Sequence, residues 1–100
     1  MFDADLSGQV AVITGGGRGI GRASARALGR EGADLAICAR TADEIDAVAD
    51  ELRSDGRKVV ASVVDVSDWN QVSRFAAEVS RNFPEVHILL NNAEIGRAHV

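Results

Sequence analysis

Glycine is concentrated in one short stretch of this chain, directly after an apolar run. Residues 10–13 are continuously apolar, as expected of a strand buried on both faces. Five of the eight residues at positions 14–21 are glycine, and helical spacing of apolar residues begins at Gly19. A strand that turns this abruptly into a helix needs glycine wherever a Cβ would obstruct the bend or the packing. The stretch therefore predicts a strand–turn–helix unit.

The rest of the chain repeats this alternation of strand and helix patterns. Short apolar or β-branched runs at residues 35–39, 59–64 and 88–90 predict three further strands. Thr41, followed by Glu44, has the pattern of a capping box that starts a second helix, and Asp55-Gly56 ends it. Ser67 or Asp68 caps a third helix, which Pro84 terminates. The predicted buried faces are Ile20, Ala23, Ala27 and Leu28 on the first helix, Ile45, Val48 and Leu52 on the second, and Trp69, Val72, Phe75 or Ala76, and Val79 on the third.

The predicted element order is β-α-β-α-β-α-β. Strands separated by helices run parallel and are joined by right-handed crossovers. The fold class is therefore α/β, a three-layer, doubly wound, Rossmann-like parallel sheet with strand order 3-2-1-4. A dinucleotide fold of this kind continues through two more strands, so we expect the sheet of this chain to be truncated.

Composition excludes several classes of function. The net charge of −4 and the scattered basic residues argue against nucleic acid as a partner. The single cysteine, Cys38, allows no disulfide framework, and with the few histidines it offers no metal site. No apolar run approaches the ~20 residues that span a bilayer. These features predict a cytoplasmic protein that binds neither membranes nor metals.

The glycine stretch has the requirements of a phosphate-binding turn. The helix that follows it offers free backbone N–H groups and a partial positive charge. A G-x-G-x-x-G pattern starting at Gly15 needs Gly or Ala at position 20 and finds Ile20. A P-loop starting at Gly16 reaches Gly21 but lacks the Lys-Ser or Lys-Thr that must follow. The pattern that fits is T-G-x-x-x-G-I-G.

This pattern resembles the first turn of the short-chain dehydrogenase/reductase family. The resemblance implies a dinucleotide-binding turn made by Thr14, Gly15, Gly17, Arg18, Gly19, Ile20 and Gly21. Asn91-Asn92-Ala93, after the fourth strand, is similar to the family's Asn-Asn-Ala-Gly motif, which braces the sheet beside the nicotinamide. The two matches together imply the cofactor-binding part, residues 1–93, of a nicotinamide-dependent oxidoreductase.

The end of the second strand indicates which dinucleotide binds. An acidic residue there binds the 2′-hydroxyl of NAD, whereas a nearby arginine accommodates the 2′-phosphate of NADP. The acidic position is Ala39, the next residue is Arg40, and Arg18 can reach the same corner. Two guanidinium groups and no carboxylate suit a phosphate dianion, so we predict NADP over NAD.

Asp65-Val66 ends the third strand. The family resemblance implies that the Asp65 carboxylate accepts from the adenine amino group while Val66 lies against the ring. A helix-capping role for Asp65 is the alternative.

The chain departs from the family after Ala93, where Glu94 replaces the last glycine of the motif. Residues 95–100 back-translate as ATC GGA AGA GCA CAC GTC, which matches a common sequencing-adapter oligonucleotide when preceded by AG. A glycine codon interrupted after its first G would then read GAG, which encodes glutamate. We therefore predict that residues 94–100 are a non-native tail.

The family's acid–base chemistry uses a Tyr-x-x-x-Lys pair, and this chain contains no tyrosine. We therefore assign no catalytic residue and expect the fragment to be inactive by itself. The resemblance implies a parent enzyme, a homo-oligomer, that transfers hydride between NADPH and a small carbonyl or alcohol substrate. A non-catalytic dinucleotide sensor or module is the alternative.

Overall fold

The computed structural model describes residues 5–92, which form one parallel sheet flanked by helices. The strands are β1 (Val10–Thr14), β2 (Asp34–Ala39), β3 (Val59–Val63) and β4 (Ile88–Asn91). The helices are α1 (Gly19–Arg30), α2 (Ala42–Ser54) and α3 (Trp69–Asn82). All neighbouring strands pair in parallel, in the order β3-β2-β1-β4. The predicted fold class and strand order are therefore confirmed.

The strand register brings the carboxyl ends of the strands to one edge. Thr14, the last residue of β1, is paired with Cys38 of β2 on one side and with Asn91 of β4 on the other. Ala39 of β2 is paired with Val63 of β3. The segments that follow the four strands therefore begin at the same edge, which is where open α/β sheets bind ligands.

Side chains that alternate along β2 supply a core on each face of the sheet. Leu35 and Ile37 are fully buried in a cluster that includes the apolar face of α2. Cys38 faces the opposite side and packs in a cluster with Phe75 and Val79 of α3. Burial of each large apolar side chain stabilises the fold by roughly 1.5–3 kcal/mol. The two clusters fix which helices lie on which face.

Helix α1 packs on the sheet through its smallest residues, not through the face predicted from apolar spacing. Ile20 is 76% exposed. Ala23 and Ala27 are also exposed, and of the predicted face only Leu28 is partly buried. The buried residues are Gly21, Ala25 and Gly29. The predicted face was wrong because the helix lies so close to the β1–α1 turn that a Cβ on Gly21 would overlap the carbonyl oxygen of Gly15.

The two remaining helices begin differently from each other. Thr41 is the N-cap residue of α2, but its side chain makes no capping hydrogen bond, so the predicted capping box is wrong. Asp68 caps α3, because its Oδ1 accepts from the amides of Asn70 and Gln71 at 2.9 and 3.4 Å. Trp69 is 76% exposed and was wrongly predicted to be buried.

Across residues 5–92, no helix combines the length and apolar character needed to cross a membrane.

Candidate dinucleotide-binding site

A cleft of about 390 Å³ opens at the carboxyl edge of the sheet, between the β1–α1 turn and the ends of β2 and β3. Its volume lies in the range of small-molecule sites, roughly 300–1,000 Å³. Eight of the residues predicted for the site line it: Gly15, Gly17, Arg18, Gly19, Ile20, Arg40, Val66 and Asn92. The fold thus brings together residues from four segments that are distant in sequence.

The turn after β1 depends on glycine at two positions. Gly15 has φ +70° and Gly19 has φ +60°, the left-handed region that other residues rarely occupy. The carbonyl oxygen of Cys38 accepts hydrogen bonds from the amides of Gly15 and Gly16 at 2.8 and 3.0 Å. The turn is therefore held against the end of β2 by backbone bonds.

The same turn has the space and the donors that a pyrophosphate requires. A Cβ on Gly17 would lie 3.1 Å from the Cβ of Glu44 and 3.2 Å from that of Ala39, so glycine keeps the turn close to α2. The first backbone bond at the start of α1 runs from the Arg22 amide to the Arg18 carbonyl. The amides that precede Arg22 in the helix have no carbonyl partner within it and carry the positive end of the helix dipole. These residues fit a bound pyrophosphate.

Two arginines and one carboxylate share the corner of the cleft near the end of β2. Arg18 and Arg40 both line the cleft, as the sequence suggested. Glu44, in the first turn of α2, lines it as well, and its Oε2 lies 3.9 Å from Nη1 of Arg18. The expectation that no carboxylate lies at this corner was wrong, because α2 starts so close to the glycine turn that Glu44 faces it.

Asp65 lies beside the cleft but is not among the residues that line it. Its Oδ1 accepts from the Ser67 hydroxyl at 2.7 Å and from the Ser67 amide at 3.0 Å. The Ser67 hydroxyl, the Ser67 amide and the charge of Arg40 hold the pKa of Asp65 below its ordinary value. The carboxylate is therefore ionised and oriented, with one of its oxygens occupied by Ser67.

Thr14 joins the ends of β1 and β4. Its hydroxyl donates to Oδ1 of Asn91 at 2.9 Å and accepts from the Asn92 amide at 2.9 Å. A second, smaller cavity of about 120 Å³ lies next to these residues and is lined in part by Ile20, Gly21, Asn91 and Asn92. Ala93, the last predicted site residue, and the predicted tail at 94–100 lie outside the described residues.

Five of the residues that line the cleft were not predicted to contact the cofactor, although Ala39 was placed at the ribose-facing end of the second strand. These are Cys38, Ala39, Thr41, Glu44 and Val64. Four of them lie at or just after the ends of β2 and β3, where the predicted topology already placed the ligand. That signal could have found them. Glu44 carries no such signal, since its place depends on how α2 meets the turn.

The family model for short chain dehydrogenases matches residues 9–100. An uncharacterised oxidoreductase of Mycobacterium tuberculosis is 40% identical over 87 residues, which is 87% of this chain and 33% of that protein. The chain therefore spans about a third of the length of this curated relative.

Solved structures show the same similarity in three dimensions. L-sorbose reductase from Gluconobacter frateurii, solved with NADPH and L-sorbose, is similar at a TM-score of 0.88 and 36% identity, over 99% of this chain and 38% of that one. An NAD+-bound xylitol dehydrogenase is similar at a TM-score of 0.84 and 30% identity, over 88% of this chain and 34% of that one. The similar solved structures thus include one with NADPH and one with NAD+.

Proposed function

This chain belongs to the short-chain dehydrogenase family, and we propose that it supplies the dinucleotide-binding part of an NADP-preferring oxidoreductase. The whole protein would transfer hydride between NADPH and a small carbonyl or alcohol substrate, with the nicotinamide as hydride donor or acceptor. The observation that carries this proposal is the cleft at the sheet edge, which combines the glycine turn with Arg18 and Arg40.

In this proposal the glycine turn holds the pyrophosphate. Gly15 and Gly19 supply the left-handed backbone that shapes the turn, and Gly17 and Gly21 leave space where a Cβ would press on Glu44 or overlap Gly15. The first amides of α1 donate to the phosphate oxygens. Thr14 sets the position of the turn relative to β4 through its bond to Asn91. Ile20 covers one side of the cleft.

The preference for NADP over NAD rests on Arg18 and Arg40. Both arginines line the cleft beside the end of β2, and Ala39 at that strand end has no carboxylate to bind a 2′-hydroxyl. Guanidinium groups bind phosphate dianions with paired, charge-assisted hydrogen bonds. The NADPH complex of the similar L-sorbose reductase supports this choice, and the NAD+-bound xylitol dehydrogenase shows that the fold also accommodates the other cofactor.

The remaining contacts are assigned to the two ends of the cofactor. We assign Asp65 and Val66 to the adenine, since Val66 lines the cleft and the Asp65 carboxylate is ionised beside it. We assign Asn91, Asn92 and Ala93 to the nicotinamide side, because Asn91 and Asn92 line the smaller cavity.

The acid–base group of the reaction has no candidate within these 100 residues, because the chain has no tyrosine. We propose that residues 1–93 form part of the dinucleotide domain and that they are inactive by themselves. Residues 94–100 stay predicted as a non-native tail. Sequencing the genomic locus tests that prediction, which is wrong if the natural reading frame encodes the same seven residues.

The test of cofactor binding uses the full-length protein and titrations with NADPH and NADH. We expect tighter binding of NADPH, and a loss of about tenfold in NADPH affinity with little change for NADH in Arg40→Ala. Arg74→Ala on α3, outside the cleft, is the matched control. Binding of neither dinucleotide contradicts the proposal, and equal affinities contradict the NADP preference. Binding without oxidation of NADPH on a panel of ketones and aldehydes would favour the sensor.

A further inference from the structure

Glu44 is the acidic residue that faces the proposed 2′-phosphate corner. Its Oε2 lies 3.9 Å from Nη1 of Arg18, and both residues line the same cleft. The Arg18 side chain is 81% exposed, whereas that of Glu44 is only 36% exposed. The Glu44 side chain is therefore the more covered member of the pair, and the Arg18 side chain lies largely in solvent.

The backbone keeps Glu44 at this position. A Cβ on Gly17 would lie 3.1 Å from the Cβ of Glu44, so the glycine turn and the first turn of α2 are in close contact. Ile45, the next residue, is 1% exposed and holds the start of α2 in the core. The packing of α2 therefore holds the Cα and Cβ of Glu44 beside the cleft.

A phosphate and a hydroxyl meet this carboxylate differently. A 2′-phosphate dianion must compete with Glu44 for Arg18, and the two anions repel each other across the cleft. A 2′-hydroxyl carries no charge and can donate a hydrogen bond to a carboxylate. The Glu44 carboxylate thus disfavours binding of a 2′-phosphate but is compatible with a 2′-hydroxyl.

We propose that Glu44 is a specificity-determining residue that weakens binding of 2′-phosphorylated dinucleotides relative to unphosphorylated ones. This inference rests on the proposed function and narrows it. Arg18 and Arg40 favour NADP, and Glu44 reduces that preference enough for the site to accept NAD as well.

The experiment compares wild type, Glu44→Gln and Asp43→Asn in the full-length protein. Asp43 is the other acidic residue in the first turn of α2, but it is exposed and does not line the cleft, so its variant controls for the loss of one charge at this helix end. Affinities for NADPH and NADH are measured at low and high salt. We expect Glu44→Gln to bind NADPH about three- to tenfold more tightly, with NADH unchanged or weaker and Asp43→Asn close to wild type.

The salt dependence distinguishes electrostatics from a change of packing. Because 1 M salt shortens the screening length from about 10 Å at 0.1 M to about 3 Å, the gain in NADPH affinity should shrink there. A Glu44→Gln variant with an unchanged ratio of NADPH to NADH affinity overturns this inference while the proposed function stands. Parallel changes for both cofactors, independent of salt, overturn it as well. If wild type binds neither dinucleotide, the proposed function itself is wrong.

Discussion

The hydroxyl of Thr14 donates a hydrogen bond to Oδ1 of Asn91 at 2.9 Å, and so joins the ends of β1 and β4 across 77 positions of the chain. The same oxygen accepts from the amide of Asn92 at 2.9 Å. One side chain therefore ties the strand that leads into the glycine turn to the strand that borders the smaller cavity. Residues 14–21 and residues 91–92 are thereby parts of one structural unit.

Replacement of Thr14 by valine should loosen this connection. Thr14→Val keeps the shape of the side chain but removes both hydrogen bonds, so we expect the free energy of unfolding to fall by about 1–2 kcal/mol. Urea unfolding of the full-length protein measures the change. Thr41→Val is the control, because the Thr41 hydroxyl makes no capping bond. Equal losses in the two variants would contradict a special role for Thr14.

Replacement of Gly21 by alanine should disrupt the cofactor turn. The added Cβ would overlap the Gly15 carbonyl oxygen and approach Nδ2 of Asn92 at 3.0 Å, so the turn must shift. We expect at least about a tenfold loss of dinucleotide affinity in titrations. Gly29→Ala, at the other end of α1, is the control. Its Cβ meets only the Cδ2 atom of Leu52 within 3 Å, a side-chain end that can adjust, so affinity should stay unchanged.

The cap of α3 should contribute measurable stability. Asp68→Ala removes the acceptor for the amides of Asn70 and Gln71, and we expect a loss of about 1 kcal/mol in the free energy of unfolding. Thr41→Ala at the start of α2 should cost less, because no side-chain cap is lost there. Denaturant titrations compare the two variants. A larger loss for Thr41→Ala would show that the caps have been assigned wrongly.

The Cys38 thiol should be unreactive in the folded protein. Burial raises its pKa from the ordinary 9.0 to about 11, partly offset by a backbone hydrogen bond with Gly15. At pH 8 we expect maleimide labelling of Cys38 only as fast as the fold opens, with full labelling in denaturant. Fast labelling of the folded protein would contradict this burial.

The same shift predicts how stability depends on pH. The folded thiol binds its proton more tightly than the unfolded one. The protonated Cys38 thiol therefore contributes fully to the free energy of unfolding below about pH 9.0, and this contribution falls as the pH rises towards about 11. Comparing the unfolding of wild type and Cys38→Ala across this range isolates the contribution. A difference between them that stays constant with pH would contradict the prediction.

Prediction from sequence was most successful where the signal is local. Each strand was recognised from its apolar run, and the crossover rule then supplied the strand order, because parallel neighbours joined by right-handed helices leave few alternatives. Asp68 was one of two candidate caps, and the structure selects it. The strands and the cap depend on residues only a few positions apart, so a local sequence pattern is enough to predict them.

The errors share a different cause. Ile20 and Trp69 are apolar at helical spacing, yet both are 76% exposed. Helical periodicity predicts which residues share a face of the helix. Which face is buried depends on the elements against which the helix packs. At α1 the neighbour is the glycine turn itself, so only small residues fit there. Glu44 was likewise assigned to a capping box, whereas it lies opposite Arg18.

By itself, the sequence determined the α/β class, the order of the strands, the glycine turn and the two arginines beside the second strand. These follow from local spacing, backbone freedom at glycine and the connection rules of parallel sheets. Only the tertiary structure decided that Thr14 joins Asn91 and that Glu44 enters the corner with Arg18. Those relationships depend on the distances at which separate elements pack, which no local pattern along the chain encodes.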